Sequence, residues 1–157
     1  MSADDILQDA MSSSVEGLTL IGGEPFDQPV AGAELARKAQ RLGLGVIAFS
    51  GYEYESLRSG GGGTEEFLAA IDLLVDGPYE AGNPEKERAL VGSTNQRFIH
   101  LSGRYRSYRP EIAANRVDIR ILPDGSIDVA GFLDTNDLND LLEATGTKRK
   151  ARRTTSE

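Results

Sequence analysis

The chain has 157 residues, enough for one domain with a sizeable core. It contains no cysteine, which excludes disulfides, thiolate metal sites, cysteine nucleophiles and the thiolates an iron–sulfur cube requires; the single histidine, His100, cannot build a histidine-rich metal centre. The net charge of −8 is unevenly spread: from Gly146 onward Lys148, Arg149, Lys150, Arg152 and Arg153 face only Glu157, a tail of +4 that leaves −12 on the body and argues against nucleic acid as a partner.

Hydrophobic residues make up 39% and charged residues 27% of the chain, as in soluble globular proteins, and no apolar run is long enough to span a membrane. The acidic start, Met1 to Asp9, lacks the basic region of a secretory signal, so a cytoplasmic location and no membrane partner are expected.

In chain order, Ala3 to Ser13 is predicted to be a helix, opened by Ser2 and Asp4, with Ile6, Leu7, Ala10 and Met11 at helical spacing. Gly17 to Ile21 is a short apolar strand stopped by Gly22-Gly23. A helix from about Ala33 to Leu42 ends at Gly43, and Gly45 to Phe49 is a second strand ended by Ser50-Gly51. A helical piece over Glu53 to Arg58 is interrupted by the glycine run 60–63. Thr64 is the expected N-cap of the next helix, and Asp72 to Asp76 is a third strand closed by Gly77-Pro78. The glycine run lacks the Lys-Ser/Thr pair of a phosphate loop and reads as flexible connection.

Short strands that are apolar on both faces, alternating with helices, indicate a parallel sheet covered by helices. The second half differs. Tyr79 to Leu90 is polar and charged and reads as a loop or a short helix, and Arg97 to Leu101 is a candidate strand, with His100 near its end. Val117 to Ile121 and Ser126 to Val129 alternate apolar and polar residues around Pro123-Asp124-Gly125, the pattern of a hairpin with one wet face. Asp134 to Ala144 is a last predicted helix, and residues 146–157 form a basic tail expected to be disordered.

Chemistry is concentrated in Gly22-Gly23-Glu24-Pro25-Phe26, directly after the first strand. Two glycines allow a ligand to approach the backbone, and Glu24 lies at the strand's carboxyl end, where parallel α/β folds place ligand sites. A carboxylate there can accept from an ammonium group. A tight strand-to-helix turn with Pro25 setting the next segment accounts for the same residues without a ligand. No spacing among Glu24, Asp72, Asp76 and Glu80 fixes an acid/base pair or a carboxylate metal site.

Gly22-Gly23-Glu24-Pro25-Phe26 resembles the motif by which radical S-adenosylmethionine (SAM) enzymes hold the amino group of SAM's methionine moiety. Ser50-Gly51-Tyr52-Glu53, Leu74-Val75-Asp76-Gly77-Pro78-Tyr79 and Gly92-Ser93-Thr94-Asn95-Gln96-Arg97 follow in the order of the glycyl-radical activating enzymes, of the anaerobic ribonucleotide reductase and pyruvate formate-lyase activating type, and their short single-cluster relatives. The hairpin and Ala130-Gly131-Phe132 are similar as well, so the resemblance covers about Ala3 to Leu142.

The resemblance implies an α/β fold: a partial (β/α) barrel of TIM type over residues 1–145, missing its first strand, with a C-terminal hairpin and helix. It implies that Gly22, Gly23, Glu24 and Pro25 bind the methionine end of SAM. Ser50 would lie near SAM's polar groups and Asp76 near its ribose or a bound cation. No role is implied for Asn95, Gln96 and Arg97, for which a loop-fixing hydrogen-bond set is the simpler reading, and Tyr52 and Tyr79 read as packing residues.

The family's three cluster cysteines, spaced Cys-x3-Cys-x2-Cys, have no counterpart in this chain, so its [4Fe-4S] cluster is not ligated here. The expected function is therefore a SAM-binding but catalytically incomplete domain: a split half, an N-terminally truncated form or a relic. A cysteine-bearing N-terminal half or a glycyl-radical enzyme is the implied partner, and self-association is expected of the edge left bare at the first strand. The alternative is a non-catalytic protein-interaction domain that uses the residual barrel.

Overall fold

The computed structural model describes residues 2–110, 118–121 and 127–130, with positions 139, 140 and 143. Two compact units divide the chain, residues 1–113 and 114–157. Among the described residues no helix is long and apolar enough to cross a membrane.

The first unit opens with helix α1 (Ala3–Ser12). Its start is a reciprocal capping box: the Asp5 amide donates to Ser2 Oγ at 3.2 Å, and the Ser2 amide donates to the Asp5 carboxylate at 2.7 Å. Strand β1 (Gly17–Leu20) follows, then a 3-10 turn at Pro25–Asp27 and helix α2 (Pro29–Arg41). Helix α2 begins before the predicted Ala33. Pro29 sits in its first turn, where a missing amide costs nothing, and Val30 is exposed there, so the apolar periodicity begins a turn late.

Strand β2 (Gly45–Phe49), short helices α3 (Tyr54–Arg58) and α4 (Thr64–Leu68), strand β3 (Leu73–Asp76) and strand β4 (Arg97–His100) complete the unit. The predicted cap of α4 is displaced by one residue. Gly63 occupies the N-cap in a left-handed conformation (φ 98°), and Thr64 is the first helical residue, its hydroxyl donating to the Gly61 carbonyl at 2.9 Å.

The sheet order is β1-β2-β3-β4, with β1, β2 and β3 parallel and β4 antiparallel to β3. One face is covered by helices. Ala33, Ala36 and Ala39 form a buried stripe on α2, small enough to let the helix lie close over Val46 and Ala48 of β2. Phe67 and Phe26 stack at 4.6 Å in the same core. On the opposite face, residues 101–110 fold back beneath the sheet, where a Cβ added to Gly45 would lie 2.1 Å from the Tyr105 hydroxyl. Only glycine permits that approach.

Asp72, just before β3, ties the foot of the sheet together. Its carboxylate accepts from the Val46 amide at 2.9 Å and from the Ser102 hydroxyl, and its carbonyl accepts from the Leu101 amide at 3.0 Å.

In the second unit, strands β5 (Asp118–Ile121) and β6 (Ile127–Ala130) pair antiparallel, in agreement with the predicted hairpin. The predicted turn Pro123-Asp124-Gly125, the Ala130-Gly131-Phe132 segment beyond Ala130 and the basic tail lie outside the described residues. So does the last helix, apart from helical positions 139, 140 and 143.

Candidate functional site

The carboxyl ends of β1 and β2 carry the site. Gly22 and Gly23 both take positive φ, 89° and 55°, and a Cβ built on either would meet no atom within 4 Å. The backbone conformation, not crowding, selects glycine here, and the turn faces open space. Glu24 caps the 3-10 turn that Pro25 begins, and its Oε1 accepts from the Phe26 amide at 3.0 Å.

The same carboxylate reaches across to the end of β2. Oε1 accepts from the buried Ser50 hydroxyl at 3.0 Å and Oε2 from the Gly51 amide at 2.8 Å. Ser50 Oγ in turn accepts from the Tyr52 amide at 3.0 Å, and the Tyr52 hydroxyl donates to Asp27 at 3.1 Å. That hydrogen bond, with the Asp27 charge, holds the Tyr52 phenol above its ordinary pKa. A carboxylate offers about four acceptor positions; three donors occupy Glu24, so one position remains, on Oε2 beside Gly51. The arrangement is at once a bracket joining two strand ends and an acceptor set beside open space.

Asp76 is held in a second cluster. Its side chain is 0% exposed and its Oδ1 accepts from Arg97 Nε at 3.0 Å, while Oδ2 accepts from a terminal nitrogen of Arg97 and from the Tyr54 amide at 2.7 Å. It thereby serves the amino end of α3, which has no side-chain cap of its own. Arg97 also donates to Glu55 at 2.7 Å, and the bonds to Asp76 and Glu55 raise its pKa further.

Asn95 and Gln96 fix the loop, as the simpler sequence reading of the three residues expected, whereas Arg97 bonds to Asp76 and Glu55 instead. Asn95 Nδ2 donates to the Pro78 carbonyl at 2.7 Å, and Gln96 Nε2 donates to the Gly77 carbonyl at 3.2 Å. Gln96 Oε1 accepts from the Gly92 and Ser93 amides at 2.9 and 3.2 Å. Tyr79 is 65% exposed and Tyr52 47%, so neither is a core packing residue; Tyr52 is instead hydrogen-bonded at the surface.

Glu85 organises the preceding loop, a role its sequence context did not reveal. Its side chain is only 6% exposed, and Oε1 accepts from the amides of Lys86, Glu87 and Arg88 at 2.9–3.1 Å while Oε2 pairs with Arg88. Burial opposes its ionisation, but the Glu87 and Arg88 amides and the Arg88 guanidinium outweigh it and hold the pKa at about 2. Because the folded value lies below the ordinary one, this carboxylate stabilises the fold fully above about pH 4.5 and loses that contribution as pH falls towards 2. Glu85→Gln should flatten this limb of the curve. In urea melts the wild type is expected to lose roughly 1–3 kcal/mol more than the variant between neutral pH and pH 2. Parallel curves would remove Glu85 as the titrating group.

A helix-covered α/β sheet with a glycine–carboxylate turn at its strand ends defines the class of the site. The family of the chain follows from comparison: residues 1–99 match the 4Fe-4S single cluster domain family, and the chain belongs to it. It is also 32% identical over 91 residues to the anaerobic ribonucleoside-triphosphate reductase-activating protein of Enterobacteria phage T4, covering 55% of this chain and 54% of that protein. The chain thus spans about half the length of this curated relative. No solved structure matches.

The family's cluster does not fit the residues present. A [4Fe-4S] cube takes thiolate ligands and the sequence has none; among the described residues no group of three or more His, Asp or Glu side chains is placed to hold a metal ion.

Proposed function

We propose that this chain is the SAM-binding portion of a radical SAM domain of the glycyl-radical activating type, its sheet being part of an open (β/α) barrel. Radical chemistry then requires a cysteine-bearing partner segment to supply the cluster ligands, and a glycyl-radical enzyme is the substrate. The observation that carries this reading is the Gly22-Gly23-Glu24 turn: two left-handed glycines beneath open space, beside a carboxylate fixed by Ser50 and Gly51 with an acceptor position to spare. Its family membership and its likeness to a phage reductase-activating protein support it.

In this reading Glu24 accepts from the ammonium of the methionine moiety and the glycine backbone lies against its chain. Ser50 acts through Glu24 by orienting the carboxylate, and Asp76 acts at a distance by holding α3 and Arg97. Charge-assisted hydrogen bonds contribute about 1.5–3 kcal/mol each, so the chain alone should bind SAM on the order of millimolar, about −4 kcal/mol.

Glu24→Gln removes the charge but sets an NH2 group against one of the backbone amides that donate to the carboxylate, so titration calorimetry should show SAM affinity falling by at least about tenfold and the melting temperature should fall with it. Micromolar binding that survives the substitution would mean that SAM is held elsewhere or not by this motif. A non-catalytic interaction domain is the competing reading, and the position of β1 at the edge of the sheet formed by the described strands is the observation that favours it.

A further inference from the structure

The ladder between β1 and β2 ends at Leu20 and Ala48, before either strand reaches the site. Beyond that point the Ser50 amide turns to β3, donating to the Val75 carbonyl at 2.9 Å. The turn after β1 and the loop after β2 are then joined through side chains. Glu24 receives the Ser50 hydroxyl and the Gly51 amide, and Asp27 receives the Tyr52 hydroxyl at 3.1 Å. The first two bonds end on the carboxylate that carries the open acceptor position. The third does not, so a cation that draws on Glu24 leaves it intact.

Tyr52 is anchored on both sides of this junction. Its amide donates to Ser50 Oγ at 3.0 Å, and its carbonyl accepts from the Gly77 amide at 3.2 Å at the end of β3. The Asp27 amide donates to the Glu24 carbonyl at 3.0 Å, so a tie at Asp27 is passed to the Glu24 backbone within one turn. The upward shift of the Tyr52 phenol comes first from its bond to Asp27 and the Asp27 charge, and the Glu24 charge adds to it, so the hydroxyl stands in the field of both carboxylates. The residue is 47% exposed, so its hydroxyl rather than its packing makes the connection.

We infer that Tyr52 is a positioning residue for the Glu24 site: through Asp27 it locks the turn after β1 to the loop after β2 and keeps the open Oε2 position in place for a ligand's ammonium group. For its ligand this inference rests on the reading of the site as one for SAM. A loop ordered before binding need not be ordered by the ligand, and one such tie is worth about three- to tenfold in affinity.

Hydrogen exchange on the unliganded chain tests the lock itself. In Tyr52→Phe and in Asp27→Ala the Gly51 amide should exchange at least about fivefold faster, while the Ser50 and Asp72 amides, bonded across the sheet, keep their rates. Asp27→Asn keeps an acceptor oxygen and should retain the wild-type rate. Tyr52→Phe combined with Asp27→Ala should be no faster than either alone, because both remove one bond. SAM titrations followed by amide chemical shifts should show affinity lower by about three- to tenfold in the same two single variants.

Unchanged Gly51 exchange in Tyr52→Phe would overturn the inference. So would equal acceleration of all three amides, which marks a general loss of stability, or faster Gly51 exchange with SAM affinity unaltered. Failure of the wild type to bind SAM sinks the SAM reading instead, and the Gly51 rates then still decide whether Tyr52 fixes the bracket.

Discussion

Arg97→Ala should destabilise the protein more than Asp76→Ala, although the two residues share one ion pair. The Asp76 carboxylate is fully enclosed, whereas the Arg97 side chain is 43% exposed. Without Arg97, a buried negative charge is left with one amide donor, from Tyr54 at 2.7 Å. Removing one partner of a buried pair costs about 3–5 kcal/mol, chiefly because the remaining charge stays desolvated. Without Asp76, Arg97 can turn to water and retain Glu55, so the cost falls to about 2–3 kcal/mol, mostly the lost bond to α3. Asp76→Asn should recover part of the Arg97→Ala loss by neutralising the orphaned charge. Urea denaturation of the four proteins measures this order. A larger loss in Asp76→Ala, or no rescue by Asn, would show that the carboxylate does not carry the cost.

The second large effect lies in the core. Phe67 is 0% exposed, stacks on Phe26 at 4.6 Å and fills the space over Gly32, where an added Cβ would approach its ring to 2.6 Å. Phe67→Ala is expected to cost about 3–5 kcal/mol, the transfer of the ring plus the cavity it leaves. Gly32→Leu alone should be destabilising, because the new side chain must displace the ring. Combined with Phe67→Ala, the leucine can enter the vacated space from α2, so the double variant should be more stable than the two single losses predict. A thermodynamic cycle from chemical denaturation gives the coupling; strict additivity would separate the two sites.

Much of the sheet was legible because its strands are short apolar runs bounded by glycine, and the start of α1 because Ser2 advertises a cap. The start of α2 was missed because helix reading relied on buried periodicity, while its first turn holds Pro29 and the exposed Val30. Glu24 could be singled out as a strand-end carboxylate. Its bonds to Ser50 and Gly51 depend on β1 and β2 lying side by side in register, which no local pattern encodes. Asp76 meets Arg97 for the same reason: the antiparallel register of β3 and β4 sets them opposite one another. The Glu85 turn escaped notice because a glutamate in a charged loop resembles any solvated acid until its amide partners are seen.

Each strand of the four-stranded sheet has its successor in sequence as its neighbour. No pairing waits for a distant segment, so the sheet can grow in the direction of synthesis, each new strand closing on the last one formed. Loop closure is then paid in small instalments, which favours rapid folding over slow searching among misregistered pairs. Among the described strands β1 precedes its only recorded neighbour, so its ladder with β2 can be complete before β3 and β4 emerge.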